Sequence, residues 1–334
     1  MLAPHAVADR ADLRYVSDDE PGISRRRSGR GFTYMDHAGN AVGPEIRARI
    51  KSLAIPPAWE HVWICVDPDG HIQATGRDAA GRKQYRYHPD WERVRDEVKF
   101  DRMLPFGLSL PRLRKQIESD LNQRGLPRSR VTALALAVLD QSLIRVGNDR
   151  YTRQNGSFGL TTITNKHADV NGHKVHFKFI AKGGAKSEVA LRDRRLAGLV
   201  AECQDLGGQR LFTYQDSEGT VEGIRSNDVN EYLRTTCGLD ATAKDFRTWG
   251  ASALLTDRLG RIGPSDQPER EILQAIDEVA ETLGNTRAVC RASYVHPAIT
   301  EAFTDGTLEP AWRASRSSRW LSRGESALIK VLST

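Results

Sequence analysis

The segment from Val131 to Val146, VTALALAVLDQSLIRV, most tightly constrains how this chain folds. Val131, Leu134 and Val138 share one helical face, and Leu136, Leu139 and Leu143 share another. A helix that is apolar on several sides belongs at the centre of a larger assembly. Gly147 follows it and offers a left-handed stop, so the helix is predicted to run to Val146. Flanking segments supply its neighbours. Leu110 to Gly125 reads as a helix closed by glycine. Glu269 to Leu283 carries the stripe Ile272, Ile276, Val279 and Leu283, with Gly284 as its stop.

Two stretches break this helical pattern. Between Leu160 and Lys186, Asn171-Gly172 is a hairpin turn signal, and Val175, Phe177 and Phe179 alternate with His176, Lys178 and Ile180. Gly183-Gly184 then predicts a second tight turn. Ahead of the helices, from about Phe32 to Tyr87, the pattern is of short strands. Val62, Ile64 and Val66 alternate with Trp63, Cys65 and Asp67, Asp67-Pro68-Asp69-Gly70 marks a turn, and residues 71–76 supply the returning strand. A short helix over Glu45 to Leu53 is closed by Pro56-Pro57.

The fold class is therefore α+β. A small N-terminal β-sheet domain over residues 31–95 precedes a larger, mainly α-helical domain with a small β insert over 96–334. Residues 1–30, with the basic run Arg25-Arg26-Arg27-Ser28-Gly29-Arg30, read as a flexible arm.

Composition narrows the function. With 49 Lys plus Arg against 43 Asp plus Glu, the net charge of +6 favours an anionic partner such as nucleic acid. No stretch approaches the ~18 apolar residues of a membrane helix. The first twenty residues carry acids and no apolar core, so no signal peptide is expected. Cys65, Cys203, Cys237 and Cys290 are too scattered for a metal site or a disulfide framework, which points to the cytoplasm. There is no phosphate-binding glycine loop, no His-Glu-x-x-His and no acidic cluster at metal-binding spacing. Neither nucleotide, cofactor nor metal is expected, and phosphate chemistry would take its positive charge from side chains.

Four residues stand out for such chemistry. Arg145 ends the apolar helix in Leu143-Ile144-Arg145-Val146-Gly147, where a charge needs an anionic partner. From local sequence, a structural ion pair with Asp149 or Asp140 is the plainer account. Arg247 lies in Lys244-Asp245-Phe246-Arg247-Thr248-Trp249-Gly250; with Asp245 as cap it falls in the first helical turn, where a bound anion would offset the dipole. A surface arginine is the plainer alternative. Lys182 sits at a hairpin tip before Gly183-Gly184, able to enter a groove or simply to be solvated. Tyr294 is carried by a helical stretch, a position that more commonly serves core or rim packing.

Taken in order, these elements resemble type IB DNA topoisomerases, in their poxvirus-like and bacterial branch. The resemblance rests on Ile144-Arg145-Val146-Gly147 with Tyr151, on Thr164-Asn165-Lys166-His167 with Phe179-Ile180-Ala181-Lys182, on Asp245 to Gly250, and on Ser293-Tyr294. The sheet domain adds Leu53 to Trp59, Gly70 to Gly76 and Gly81 to His88. The resemblance implies that Tyr294 attacks a DNA phosphorus to give a 3′-phosphotyrosine and a free 5′-hydroxyl. It implies that Arg145 and Arg247 hold the phosphoryl oxygens and that Lys182 is the general acid. Strand rotation then relaxes supercoils of either sign, and religation needs no ATP. Nine residues before the tyrosine, where many relatives carry histidine, stands Asn285. An amide donates a hydrogen bond but does not titrate, so it can only stabilise phosphoryl oxygen; a helix-cap role fits as well. Lys83, Gln84, Tyr85, Tyr87 and Tyr151 are the implied DNA contacts, Gln84 being suited to adenine. The implied partner is double-stranded DNA, bound by a monomer on the nucleoid. A tyrosine recombinase shares the catalytic fold, but recombinases usually carry histidine where Lys244 stands, and the sheet domain is foreign to them. A non-catalytic DNA clamp explains the charge alone.

Overall fold

The computed structural model describes residues 4–334, apart from the side chains of Asp96 and Arg150. It divides into two compact units, with the boundary between Asp101 and Arg102.

The first unit is built on a five-stranded antiparallel sheet. In chain order come α1 (Pro4–Arg10), β1 (Ile23–Ser28), β2 (Gly31–Met35), α2 (Pro44–Ser52), β3 (Glu60–Ile64), β4 (Ile72–Arg77), β5 (Lys83–Tyr87) and α3 (Pro89–Asp101). The strand order is β2-β1-β3-β4-β5, which leaves β2 and β5 as edges. Ile23, Ile50, Val62, Ile64 and Ala74 form its core. A second cluster joins Val7, Ala8 and Leu13 to Trp91, Val94 and Val98 of α3. That packing puts α3 with the sheet and moves the expected boundary at residue 95 to residue 101.

The expected flexible arm is largely ordered structure over its described residues. Ser28 faces Gly31 across a two-residue turn in which Gly29 takes φ +56°, so the basic run becomes a hairpin. Arg25 is half-buried, stacks 4.2 Å over the Phe32 ring and donates to the carbonyl oxygens of Pro56 and Trp59. A charged strand is tolerated because Arg26 and Arg27 still reach water.

The second unit gathers helices around one centre. It begins with α4 (Met103–Leu121), α5 (Arg128–Ser142) and α6 (Asp149–Asn155). An antiparallel sheet follows, β6 (Ala168–Asn171), β7 (Lys174–Ile180) and β8 (Lys186–Arg192). Next come α7 (Arg194–Leu206), the small hairpin β9 (Thr213–Gln215) and β10 (Val221–Gly223), and α8 (Ser226–Cys237). The chain closes with α9 (Ala243–Ile262), α10 (Pro268–Leu283), α11 (Arg287–Ser293), α12 (Pro297–Thr304), α13 (Leu308–Arg313) and α14 (Arg323–Leu332). The apolar helix α5 is central: it touches α4, α7, α8, α9 and strands β8 and β9.

Two helix ends differ from expectation. Helix α5 stops at Ser142, and Leu143, not Gly147, takes the left-handed cap at φ 53°. Gly147 is instead pressed against Gly159, where a Cβ on Gly159 would meet the Gly147 Cα at 2.5 Å. Helix α4 starts seven residues before Leu110 and is capped by Asn122, while Gly125 lies in the following turn.

Candidate active site and nucleic-acid interface

Because α5 ends early, Arg145 lies beyond it in a non-helical segment. That segment is stitched to the next by Leu160 N–H donating to Arg145 C=O and Thr161 N–H to Val146 C=O, both at 2.8 Å. The expected carboxylate partners are taken. Asp140 accepts from Arg114 at 2.7 Å and Asp149 from Arg210 at 2.6 Å. Arg145 Nη2 instead donates to Oδ1 of Asn285, which sits just past the C-terminus of α10.

Asn285 takes the capping role anticipated for it, and its side chain also holds Arg145. Its backbone N–H caps α10 by donating to Ala280 C=O at 2.9 Å, after Gly284 in the left-handed region. Its side chain receives Arg145 through oxygen, which leaves the Nδ2 donor buried and without a partner.

Arg247 is 4% exposed. It does not follow an Asp245 cap. Thr242 caps α9, Asp245 closes the capping box, and Arg247 falls in the second turn. Its guanidinium donates to Leu143 C=O at the end of α5 and to Leu283 C=O, 2.9 Å away, at the end of α10. These are orphan carbonyls of two helix C-termini, where a cation is favoured. Burying an ion costs several kcal/mol. Two charge-assisted bonds at about 1.5–3 kcal/mol each offset much of that. The Nε–H has no partner. Among the described residues no carboxylate pairs with Arg145 or Arg247. Burial, and then the nearby Arg145, lower the Arg247 pKa.

Tyr294 caps α11, its N–H donating to Cys290 C=O at 2.9 Å. The Arg247 Cζ lies 5.1 Å from the centre of its ring. Burial alone would push the phenol pKa up. The charge of Arg247, with smaller effects from Arg145 and Lys244, outweighs it and holds the phenol below the usual tyrosine value. Lys244 is a contributor that the motif reading used only to separate families; its place on α9, one turn before Arg247, was the available signal. Ser252 also escaped the sequence. Fully buried on α9, its hydroxyl donates to Tyr294 C=O and accepts from His296 N–H, each at 3.1 Å.

Lys182 is exposed in the turn between β7 and β8, beside Gly183 and Gly184 at φ +80° and +78°. Its Nζ lies 5.9 Å from the ring centre of Tyr151 on α6. Ala181 and Ala185 flank the turn and line the same cavity, of about 140 Å³, as Arg145 and Arg247. The structure thus pairs Arg145 with Asn285 and Arg247 with Tyr294, and places the lysine-bearing turn at the cavity that the two arginines line.

The expected DNA contacts of the sheet domain lie on edge strand β5 but do not share one face. Lys83, Tyr85 and Tyr87 alternate with Gln84 and Arg86. Tyr85 is 41% exposed and stacks on Tyr87 with centres 5.6 Å apart, whereas Tyr87 is half-buried against the α1–α3 cluster. Lys83 is held by Asp18 at 2.6 Å, and Gln84 donates to Asp78 at 2.9 Å.

A mainly helical domain with a three-stranded insert, gathering two arginines free of carboxylates around a tyrosine, is the class shared by type IB topoisomerases and tyrosine recombinases. Comparison with known proteins separates the two. A family model for the catalytic core of eukaryotic DNA topoisomerase I matches residues 88–314, and one for the N-terminal domain of bacterial DNA topoisomerase IB matches residues 31–78. The chain is 34% identical over 286 residues to the DNA topoisomerase 1B of Acanthamoeba polyphaga mimivirus, covering 82% of this chain and 85% of that one. It is 24% identical over 240 residues to the DNA topoisomerase 1B of vaccinia virus, strain Copenhagen, covering 69% and 72%. The chain belongs to the type IB DNA topoisomerase family.

Proposed function

We propose that this chain relaxes duplex DNA by transient cleavage of one strand, with Tyr294 as nucleophile. The observation that carries this reading is a pair of buried donors without partners, Arg247 Nε and Asn285 Nδ2. Native proteins rarely leave such groups unmade, and an incoming phosphoryl oxygen would satisfy both.

The steps follow from the side chains. Tyr294 attacks phosphorus as phenolate, a form that makes up only about 0.1% of an ordinary tyrosine at pH 7 and that Arg247 favours here. Charge builds on the non-bridging oxygens in the pentacoordinate transition state. Arg145, Arg247 and Asn285 supply fixed donors there, and guanidinium holds its charge throughout. The departing 5′-oxygen takes a proton from Lys182 as the P–O bond breaks. The product is a 3′-phosphotyrosyl linkage and a free 5′-hydroxyl.

The linkage preserves the phosphodiester bond energy. The 5′-hydroxyl therefore reseals the strand by the reverse step, without a nucleotide. Rotation of the duplex before resealing relaxes supercoils of either sign. The substrate is double-stranded DNA, bound by a monomer, since one tyrosine suffices for one strand; a cytoplasmic, nucleoid-associated location goes with this reading. Tyr151 and the edge strand β5 are the proposed DNA contacts.

The test is denaturant trapping on a duplex labelled on one strand. A 5′ label must remain on the protein-linked fragment, and a 3′ label must leave on a fragment that a polynucleotide kinase can phosphorylate. Labels found the other way round would contradict the polarity.

A further inference from the structure

Asp78 ties together the turn between β4 and β5. Its Oδ1 accepts from Ala80 N–H at 3.0 Å and Arg82 N–H at 2.9 Å. Its Oδ2 accepts from Arg82 Nε at 2.8 Å and from Gln84 Nε2 at 2.9 Å. Gly81, at φ +72°, lets the chain close this loop, with Gly81 N–H donating to Asp78 C=O at 2.8 Å. The carboxyl pKa is pulled down to about 2, chiefly by its bond to Arg82, so it is an anion at any working pH.

An ionised carboxylate only accepts. It therefore fixes which end of the Gln84 amide faces it: nitrogen inward, oxygen away. No other hydrogen bond holds the amide among the described residues. The residue opposite Gln84 across the ladder is Gly76, whose lack of a side chain makes room for the Trp59 ring, an apolar surface with no carbonyl or carboxylate to claim the amide. Gln84 is thus presented on an edge strand with a free carbonyl oxygen and one remaining N–H.

We infer that Asp78 is a specificity-determining positioning residue: by orienting Gln84 it makes this site select a base edge that offers an amino group. In the major groove adenine presents its N6 amino group beside acceptor N7, which matches oxygen plus N–H together. Cytosine presents only the N4 amino group and ranks second. Guanine O6 and thymine O4 are acceptors and oppose the amide oxygen. The inference rests on the DNA-cleaving reading above and on Gln84 reaching a base; the carboxylate then decides which base it reaches for.

Substitution at Asp78 has a directional consequence. Asp78→Asn keeps one oxygen for the turn's backbone but offers an N–H to Gln84. The amide must then turn its oxygen inward and its nitrogen outward, so preference passes to guanine or thymine. Asp78→Ala removes the orienting group and flattens the preference.

The experiment uses a duplex library randomised around the cleavage site, with the covalent complexes trapped and sequenced. Base frequencies are compared within each protein, so a general change in rate does not enter. The wild type should enrich adenine about tenfold over guanine and thymine at one position, since a bidentate match is worth roughly 1–3 kcal/mol. Asp78→Asn should reverse that ratio. Asp78→Ala and Gln84→Ala should each reduce it to near one, and the double variant should fall no further. Adenine enrichment unchanged in Asp78→Asn and Asp78→Ala would overturn the inference. So would a wild-type profile that is flat or favours guanine or thymine while covalent complexes form. No covalent complex with the wild type would overturn the enzyme reading, and this inference with it.

Discussion

The guanidinium carbon of Arg247 stands 5.1 Å from the centre of the Tyr294 ring, on a side chain that is 4% exposed and has no carboxylate partner among the described residues. One cation therefore acts on the nucleophile and remains available to the phosphate. A phenol pKa below the usual tyrosine value means more phenolate at every pH beneath it. Cleavage should rise with pH and level off below pH ~10. A 5′-bridging phosphorothiolate substrate isolates this limb, because its sulfur leaves without a proton from Lys182. With Arg247→Gln the limb should move to higher pH, although Arg145 and Lys244 remain, and the neutral rate should fall about 100-fold or more. Single-turnover pH profiles test this, and an unshifted limb would uncouple the two residues.

Asn285 joins the second arginine to the same centre. Asn285→Ala removes both the acceptor that holds Arg145 and the free Nδ2 donor. Cleavage should slow by about 100-fold, the scale of one transition-state donor, while DNA affinity changes little. Asn285→Asp keeps the acceptor and loses the donor, so it should not recover the rate. Wild-type cleavage by Asn285→Ala would reduce Asn285 to its backbone capping role.

Lys182 lies on an exposed glycine-flanked turn, and its role is separable chemically. Lys182→Ala should cleave ordinary DNA at least 100-fold more slowly. On the phosphorothiolate substrate its rate should approach that of the wild type. An equal defect on both substrates would remove the general-acid assignment.

A buried network supports the arginine helix from behind. Glu325 on α14 accepts from Arg114 at 2.7 Å and from Trp249 Nε1 at 3.0 Å, and Arg114 also holds Asp140. Burial alone would raise the Glu325 pKa, but its bonds to Arg114, Ser322 and Trp249 outweigh that and hold it below the ordinary 4.5. A depressed carboxyl stabilises the fold fully above the unfolded value, and this is lost as pH falls through the folded value. Glu325→Gln should cost about 3 kcal/mol at pH 7, and the difference should shrink below pH 4.5. Urea unfolding at several pH values measures it; a constant difference would mean that charge is not what Glu325 contributes.

Much of the architecture was legible in the sequence because it is locally encoded. The Asn171-Gly172 turn, the alternation through Phe179 and the stripe ending at Leu283 each carry their own signal. The end of α5 was not. A leucine in the left-handed region is unfavourable by about 1–2 kcal/mol, and only tertiary structure explains it. The Leu143 carbonyl receives Arg247, and its side chain lies where a Cβ on Gly250 would come within 2.5 Å. The partner of Arg145 was hidden for the same reason. Two nearby aspartates looked sufficient, but Arg114 and Arg210 take them from distant segments. The basic run misled because charge predicts solvent contact and says little about backbone; Arg25 to Ser28 form a strand while Arg26 and Arg27 still reach water.

Relaxation of a negatively supercoiled plasmid, in EDTA and without ATP, tests the central claim most directly when wild type and Tyr294→Phe are run side by side. The account predicts complete relaxation by the wild type and none by Tyr294→Phe, with both binding the plasmid. Relaxation by Tyr294→Phe, or failure of a wild type that binds DNA, would contradict it.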